Sequence, residues 1–393
     1  MNQNTDFIPF ARPCLGVEEE EAVIQVLRSG WLTTGGVTKS FEEEFARFCG
    51  SKFALAVNSA TAGLHLSLEA LGVGPDDWVI TTPYTFTSTA AVVKHLGANP
   101  LFVDIEKESF NISVQRIEEA LHKHGGSKRI RGILPVHVAG HPCRMDTLMS
   151  LAEKRGLFLV EDAAHAFPSR SSWGFIGTLG TLGVYSFYAT KTITTGEGGM
   201  VVTNKEELAR RISLMRLHGI DREIWNRYTS PTASWQYSVV EPGFKYNLTD
   251  LASAIGRAQL RKADRFLEKR KAIARIYTQH FQDRSYLTIP LEADGHAWHL
   301  YLLRIVPHKL RITRDEYIEK LREKGIGTSV HFIPLHLHPY WKRTYGFEPE
   351  DFPEALKKYR EVISLPIYPS LTESHIERII QAVLQIGDAH YKQ

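Results

Sequence analysis

Apolar and polar positions along this chain fall into blocks whose period changes. Residues 18–29, EEEEAVIQVLRS, put Val23, Ile24, Val26 and Leu27 on the apolar side of a helical repeat. Acids crowd its first turn, where the helix dipole favours them, and Gly30 follows its end. A second helix is predicted from Lys39 to Phe48. Short apolar runs then alternate with helical stretches. Strands are predicted at Phe53–Val57, Trp78–Thr82, Pro100–Ile105, Ile130–Val138, Leu157–Glu161, Val184–Tyr188 and Met200–Thr203. Helices are predicted at Thr61–Leu71, Ser88–Leu96 and Met145–Arg155. Near-continuous apolar strands separated by helices imply an α/β fold, a doubly wound and mostly parallel sheet covered on both faces.

After Asp250 the texture changes. Leu251–Ile276 is a long, charge-rich helical stretch whose only breaker is Gly256. Strand-like segments follow at Leu300–Ile305 and Gly327–Phe332, with helices over 314–324 and 372–387. The chain therefore divides into a large α/β domain, 1–250, and a linking helix with a smaller C-terminal α+β domain, 251–393. The weakly periodic stretch Asp221–Tyr246 reads as an ordered loop or an interface excursion.

Composition narrows the function classes. Over 393 residues, 43 % are apolar, enough for a sizeable core, and the net charge of +3 does not point to nucleic acid. Cys14, Cys49 and Cys143 are far apart and form no CxxC pair, which argues against a cysteine zinc site and suits a reducing cytoplasm. The N-terminal MNQNTDFIPFARP lacks the basic and apolar regions of a signal peptide. No run reaches the ~18 apolar residues a membrane span needs.

Three pieces carry candidate chemistry. Leu159-Val160-Glu161-Asp162-Ala163-Ala164-His165 is an apolar strand ending in acids. Ser186-Phe187-Tyr188-Ala189-Thr190-Lys191 is a strand running into a lysine, and Gly196-Glu197-Gly198-Gly199 turns into Met200-Val201-Val202. Ligands of open α/β sheets gather at the carboxyl ends of strands, where Asp162 and Lys191 both lie. Alone, such an Asp is usually a turn or cap and such a Lys a solvated surface residue. A fourth piece, Asn58-Ser59-Ala60-Thr61-Ala62-Gly63, puts hydroxyls and backbone N–H groups at a helix start, a place that suits a phosphate. By itself it reads equally as an N-cap made by Ser59 or Thr61.

Taken together, EDAAHA, SFYATK and TTGEGGMVVTN resemble the signature of the DegT/DnrJ/EryC1/StrS family. The resemblance runs nearly end to end, through PFARPCLGVEEEEAV, SGWLTTG, NSATAGLHL, KYNLTDLASAIGRAQL, HAWHLYLLRI, GIGTSVHF and SLPIYP. It implies an aspartate aminotransferase-like (fold-type I) enzyme that uses pyridoxal 5′-phosphate (PLP) to aminate nucleotide sugars. Within the family the sequence is most similar to the branch of UDP-4-amino-4-deoxy-L-arabinose–oxoglutarate aminotransferases.

By this resemblance Lys191 is the Schiff-base lysine and Asp162 the acid that pairs with the pyridine nitrogen. His165 stands beside the ring and contacts its phenolic oxygen. Ser186, with Ala60 and Thr61, contacts the phosphate, and Phe86 stacks on the ring. Lys245 and Asn247 lie in a loop that reaches the partner subunit's phosphate, which implies a homodimer with shared active sites. Thr33 and Thr34 resemble a loop near the sugar, and His331 is expected to face sugar or cofactor. His336 and His338 share its segment, but no acid lies near them to complete a metal site. Arg222, Arg227 and Tyr228 are candidates for the nucleotide phosphates, or else residues of a solvated loop.

Three departures from the family pattern stand out: Tyr188 where His is common, FPSRSSWGF at 167–175 in place of a short basic turn, and Lys245 where the commoner interface motif has Asn. The expected reaction moves the amine of glutamate to a keto nucleotide sugar, with 2-oxoglutarate as coproduct. Relatives that form 3-amino sugars more often carry Gln at the position of His165, so a 4-keto sugar is expected. The alternatives are a 3-keto substrate and, in another class, a PLP-bound regulatory protein without turnover. Lys at 191, where a dehydratase lineage has His, argues for transamination.

Overall fold

In the computed structural model, residues 7–221 and 237–392 are described. Arg222, Arg227 and Tyr228 lie outside them. The chain opens with α1 (Val17–Ser29) and α2 (Gly36–Cys49). Glu19 accepts the Gly16 N–H to cap α1, and Gly30 closes it at φ 73°, a conformation glycine adopts without strain. Strands β1 (Phe53–Val57), β2 (Asp77–Thr81), β3 (Asn99–Phe102), β4 (Arg129–Ile133) and β5 (Phe158–Asp162) follow. They are interleaved with α3 (Ala60–Ala70), α4 (Thr87–His95), α5 (Val114–His124) and α6 (Met145–Arg155). A small hairpin, β6 (Arg170–Ser171) and β7 (Gly174–Phe175), precedes β8 (Leu182–Ser186), β9 (Gly199–Thr203) and α7 (Glu206–Met215).

The main sheet has seven strands in the order β1-β9-β8-β5-β4-β2-β3. The β5–β8, β4–β5, β2–β4 and β2–β3 pairs are parallel, while β9 runs antiparallel to both β1 and β8. Alternate residues serve opposite faces, as the pleat requires. On β8, Val184 packs with Leu64 of α3 and Ile212 of α7, whereas Tyr185 packs with Phe41 and Phe45 of α2. Phe45 lies 5.2 Å from the Tyr185 ring and 5.7 Å from Phe187. This cluster anchors the strand that leads to Lys191.

The second part holds α8 (Asp250–Leu260), α9 (Ala263–Phe281) and a three-stranded antiparallel sheet, β10 (Leu287–Thr288), β11 (Tyr301–Ile305) and β12 (Val362–Leu365). Around it run α10 (Arg314–Glu323), α11 (Pro339–Tyr345), α12 (Pro353–Glu361) and α13 (Glu373–His390). Tyr277, Phe281, Tyr317, Leu321, Ile379 and Val383 build its core.

Two sequence expectations need correction. The helix expected over Leu251–Ile276 is two helices, broken at Arg261 and Lys262. No Gly or Pro marks the break. Lys262 there donates to Glu18 and Glu19 of α1, a long-range tie that local periodicity does not report. The strand expected at Gly327–Phe332 does not form. Ser329 makes one bridge to Ser364, and Ile326 bridges Ile8, so the segment divides its backbone bonds between two neighbours. Among the described residues no helix is long and apolar enough to cross a membrane.

Candidate active site

The ends of β5 and β8 open into a cavity of about 440 Å³. Asp162 closes β5, and the Tyr188 carbonyl accepts the Lys191 N–H (2.9 Å) in the turn after β8. The two strands are parallel neighbours, so both residues reach the same floor. Burial pulls the Lys191 amine down to about 8, against the opposing pull of the Asp162 carboxylate. Burial pushes the Asp162 carboxyl above its ordinary range, while Thr89, the Ala164 N–H and Lys191 draw it back.

Asp162 is fixed by a hydroxyl relay. Thr89 Oγ1 donates to Asp162 Oδ2 at 2.8 Å, and Thr85 Oγ1 stands 2.8 Å from Thr89 Oγ1. Because Thr89 gives its proton to the carboxylate, it accepts from Thr85. The Ala164 N–H reaches Oδ1 at 3.2 Å. Sequence reasoning missed both threonines. They lie some seventy residues upstream of Asp162, and only the fold sets them against it.

His165 lines the same cavity, and its Nδ1 accepts the Ala139 N–H at 3.2 Å. Ala139 sits at φ 60°, in the turn that aims this N–H. With Nδ1 accepting, a neutral ring carries its proton on Nε2. Burial, with Lys191 and His331 nearby, holds His165 well below the ordinary range and therefore neutral. It presents a donor, not a charge.

Ala60, Thr61 and Ser186 form another wall. Ser59 Oγ caps α3 by accepting the Ala62 N–H at 3.1 Å, so the cap reading holds for Ser59, and Ala60 and Thr61 remain on the cavity. β9 passes close beneath this helix start. A Cβ on Gly199 would come within 2.8 Å of the Ala60 nitrogen, so only glycine fits there. A helix N-terminus with a hydroxyl at its first turn and glycine beneath suits a phosphate. Phe86, at the N-cap of α4, is 62 % exposed and flanks the opening with Tyr188. His331 lines the far wall. Its Nδ1 is 2.9 Å from Ser364 Oγ, Phe10 stacks on it at 5.4 Å, and burial lowers it to about 4.

The other predicted residues lie elsewhere in their own chain. Asn247 Nδ2 donates to Thr34 Oγ1 at 2.6 Å, and Lys245 Nζ donates to Asn247 Oδ1 at 2.6 Å. Thr33 accepts the Asp250 N–H. Thr34 and Asn247 face a separate groove beside α2 and α7. His336 and His338 bond the carbonyls of Pro349 and Ile333.

The small-sheet side of the cavity hangs on Arg270 of α9. This guanidinium is 3 % exposed and donates to the carbonyls of Ile367 (2.7 Å), His299 (3.1 Å) and Trp298 (3.4 Å). Burial brings it down to about 10, still charged at neutral pH. Arg270→Met leaves these buried carbonyls without donors and is expected to cost about 2–4 kcal/mol. A lower Tm, with weakened retention of any bound cofactor, checks this.

The fit to PLP is direct: a buried carboxylate for a protonated ring nitrogen, an amine of lowered pKa, a neutral donor and an anion cradle surround one cavity. The DegT/DnrJ/EryC1/StrS aminotransferase family matches residues 13–384. The chain is 49 % identical to MJ1066 of Methanocaldococcus jannaschii over 97 % of both chains. It is 43 % identical to the spore coat polysaccharide biosynthesis protein SpsC of Bacillus subtilis over 98 % of both. Among solved structures, Spr1654 of Streptococcus pneumoniae in its PMP form superimposes with a TM-score of 0.90 at 30 % identity, covering 97 % of this chain and 99 % of that one. Its PLP form gives 0.89, covering 98 % and 99 %.

Proposed function

This chain belongs to the DegT/DnrJ/EryC1/StrS aminotransferase family and is a PLP-dependent sugar aminotransferase of fold-type I; from that premise we propose that it moves the amine of glutamate to a 4-keto nucleotide sugar. The observation that carries the chemistry is Asp162 at the end of β5 and Lys191 in the turn after the adjacent β8, both lining one cavity. Bound PLP supplies an electron sink for the bond that breaks at the amine-bearing carbon. Lys191 holds the cofactor covalently. Once released, its Nζ would carry a proton from that carbon to the cofactor carbon that keeps the amine, a role suited to an amine near pKa 8. Asp162, made more basic by burial, holds the ring nitrogen protonated. His165 donates Nε2–H to the phenolic oxygen, while Thr61, Ala60 and Ser186 hold the phosphate and Phe86 covers the ring.

Lys245 and Asn247 are read as serving the partner's site in a homodimer, and Thr33 and Thr34 as a loop near the sugar. The linked side chains of Lys245, Asn247 and Thr34 form one unit away from their own chain's cavity, which supports that reading. The C4 position rests on His165, where relatives that form 3-amino sugars more often carry Gln. SpsC, named for spore coat polysaccharide biosynthesis, supports a product destined for a surface polysaccharide. The test is amine transfer from glutamate to a panel of 4-keto and 3-keto nucleotide sugars. Turnover with 4-keto acceptors is expected; turnover confined to 3-keto acceptors rejects the C4 reading.

A further inference from the structure

His299 is the buried titratable group in the cavity that the reaction above leaves without a task. It is 4 % exposed, and its Nδ1 is shut off from solvent without a hydrogen-bond partner among the described residues. Leaving such an atom unmet costs roughly 1–3 kcal/mol. The chain nevertheless takes trouble to put the ring there. Trp298, just before it, lies at φ 49°, the left-handed region that a bulky residue avoids. Its ring stacks on His296 at 3.9 Å, its N–H donates to His296 Nδ1 at 2.9 Å, and Arg270 binds the Trp298 and His299 carbonyls. Strain held this firmly collects at functional sites. The result sets the His299 ring against His165, with centroids 4.5 Å apart, on the cavity wall.

The electrostatic surroundings of the ring point one way. Besides burial, the groups that act on it most are His165, Lys191, Arg270 and His331, and all are cations or become cations on protonation. His299 itself stays neutral, by burial above all. His165 and His331 are themselves held neutral and Asp162 offsets Lys191, so the standing charge beside the ring is Arg270, whose buried guanidinium bonds the Trp298, His299 and Ile367 carbonyls and, among the described residues, no carboxylate. The place favours an anion. Of the two expected substrates, only the amino acid has an anion beside the reacting atom: its α-carboxylate is one bond from the carbon that loses the amine. A keto sugar has only hydroxyls there, and its diphosphate is several bonds away.

Resting on the reading of this cavity as the amine-transfer site, we propose that His299 receives the α-carboxylate of the amino donor. Its neutral N–H donates to the carboxylate in the first half-reaction and trades a hydrogen bond with a sugar hydroxyl in the second. Arg270 supports the anion from behind without touching it. A guanidinium facing the cavity would instead be left as a desolvated, unpaired charge whenever the sugar entered. A neutral imidazole avoids that penalty, so one wall serves two unlike substrates.

The two half-reactions, followed separately by the cofactor's absorbance in the holoenzyme, test this. His299→Phe keeps a ring against His165 but removes the hydrogen bond. It should raise the half-saturating glutamate concentration by about 10- to 100-fold, the worth of a hydrogen bond to a charged group. The second half-reaction, aminated enzyme with keto sugar, should change by less than about threefold, because a hydroxyl contact is weaker. His299→Gln, which restores a neutral donor, should recover most of the loss. Equal losses in both halves, or an unchanged response to glutamate, would overturn the proposal. Should the Phe variant fail to fold, the wild type answers through inhibitors. Propionate should compete with glutamate far better than propionamide, and equal competition would also overturn it. A wild type that glutamate does not convert at all refutes the amine-transfer reading itself and is thereby told apart from a failure at His299.

Discussion

Lys191→Ala is expected to leave a folded protein that no longer links PLP covalently and transfers amine at least about 10⁴-fold more slowly, since anchor and proton carrier go together. Borohydride reduction followed by mass spectrometry reads the link directly: the wild type should carry the reduced adduct on the peptide holding Lys191, and the variant none. An adduct that persists on another lysine would refute the assignment. The pH dependence follows from the lowered amine. With a folded value of about 8 instead of the ordinary 10.5, half of the Lys191 side chains are neutral at that pH. An unperturbed lysine would be neutral in less than about 1 % of molecules. Only the neutral amine attacks an aldehyde. Covalent capture of PLP by the apoenzyme should therefore speed up about tenfold per unit as pH rises toward 8 and level off above it. A capture rate still rising tenfold per unit at about pH 10 would show that burial does not tune this lysine.

Asp162→Asn is the second large effect. The amide keeps the shape of the side chain, and its carbonyl oxygen can still accept from Thr89, so the fold should survive. What goes is the negative charge. Burial makes Asp162 more basic than an ordinary carboxylate, and a more basic carboxylate holds a ring nitrogen protonated more firmly. Without that charge the ring loses its proton and accepts electrons poorly. Cofactor binding should weaken modestly, while single-turnover amine transfer falls about 10³-fold, roughly 4 kcal/mol in the barrier. A variant within tenfold of the wild type would remove Asp162 from this role. Thr89→Val, which cuts the relay and leaves the charge, should fall between the two.

The strands that carry the site were legible because they are buried on both faces. FALAV, the apolar end of FLVED and GMVVT have no polar side to confuse the period, and Asp162 stands out as an acid closing such a run. Helix α5 was not legible: only Val114, Ile117 and Leu121 of its eleven residues are buried, too few to mark it among its charges. β12, four residues long, follows directly on α12 and shows no period of its own. Within the site, residues at strand ends and helix starts could be found by position. Thr85, Thr89 and His299 could not, since each matters through a partner far away in sequence, and for His299 that partner is the guanidinium of Arg270. The break between α8 and α9 was hidden in the same way, by the tie from Lys262 to α1.

Phe10 and Ile367 both line the cavity, so its walls draw on nearly the whole length of the chain. This sets a temporal order on synthesis. Asp162 and Lys191 are both synthesised long before Ile367. Until then Arg270 lacks the carbonyl it holds at 2.7 Å, and the cavity has no far wall. The wall that encloses the site is thus synthesised last, and a chain lacking Ile367 would carry Asp162 and Lys191 without the carbonyl that ties Arg270 to that side of the cavity.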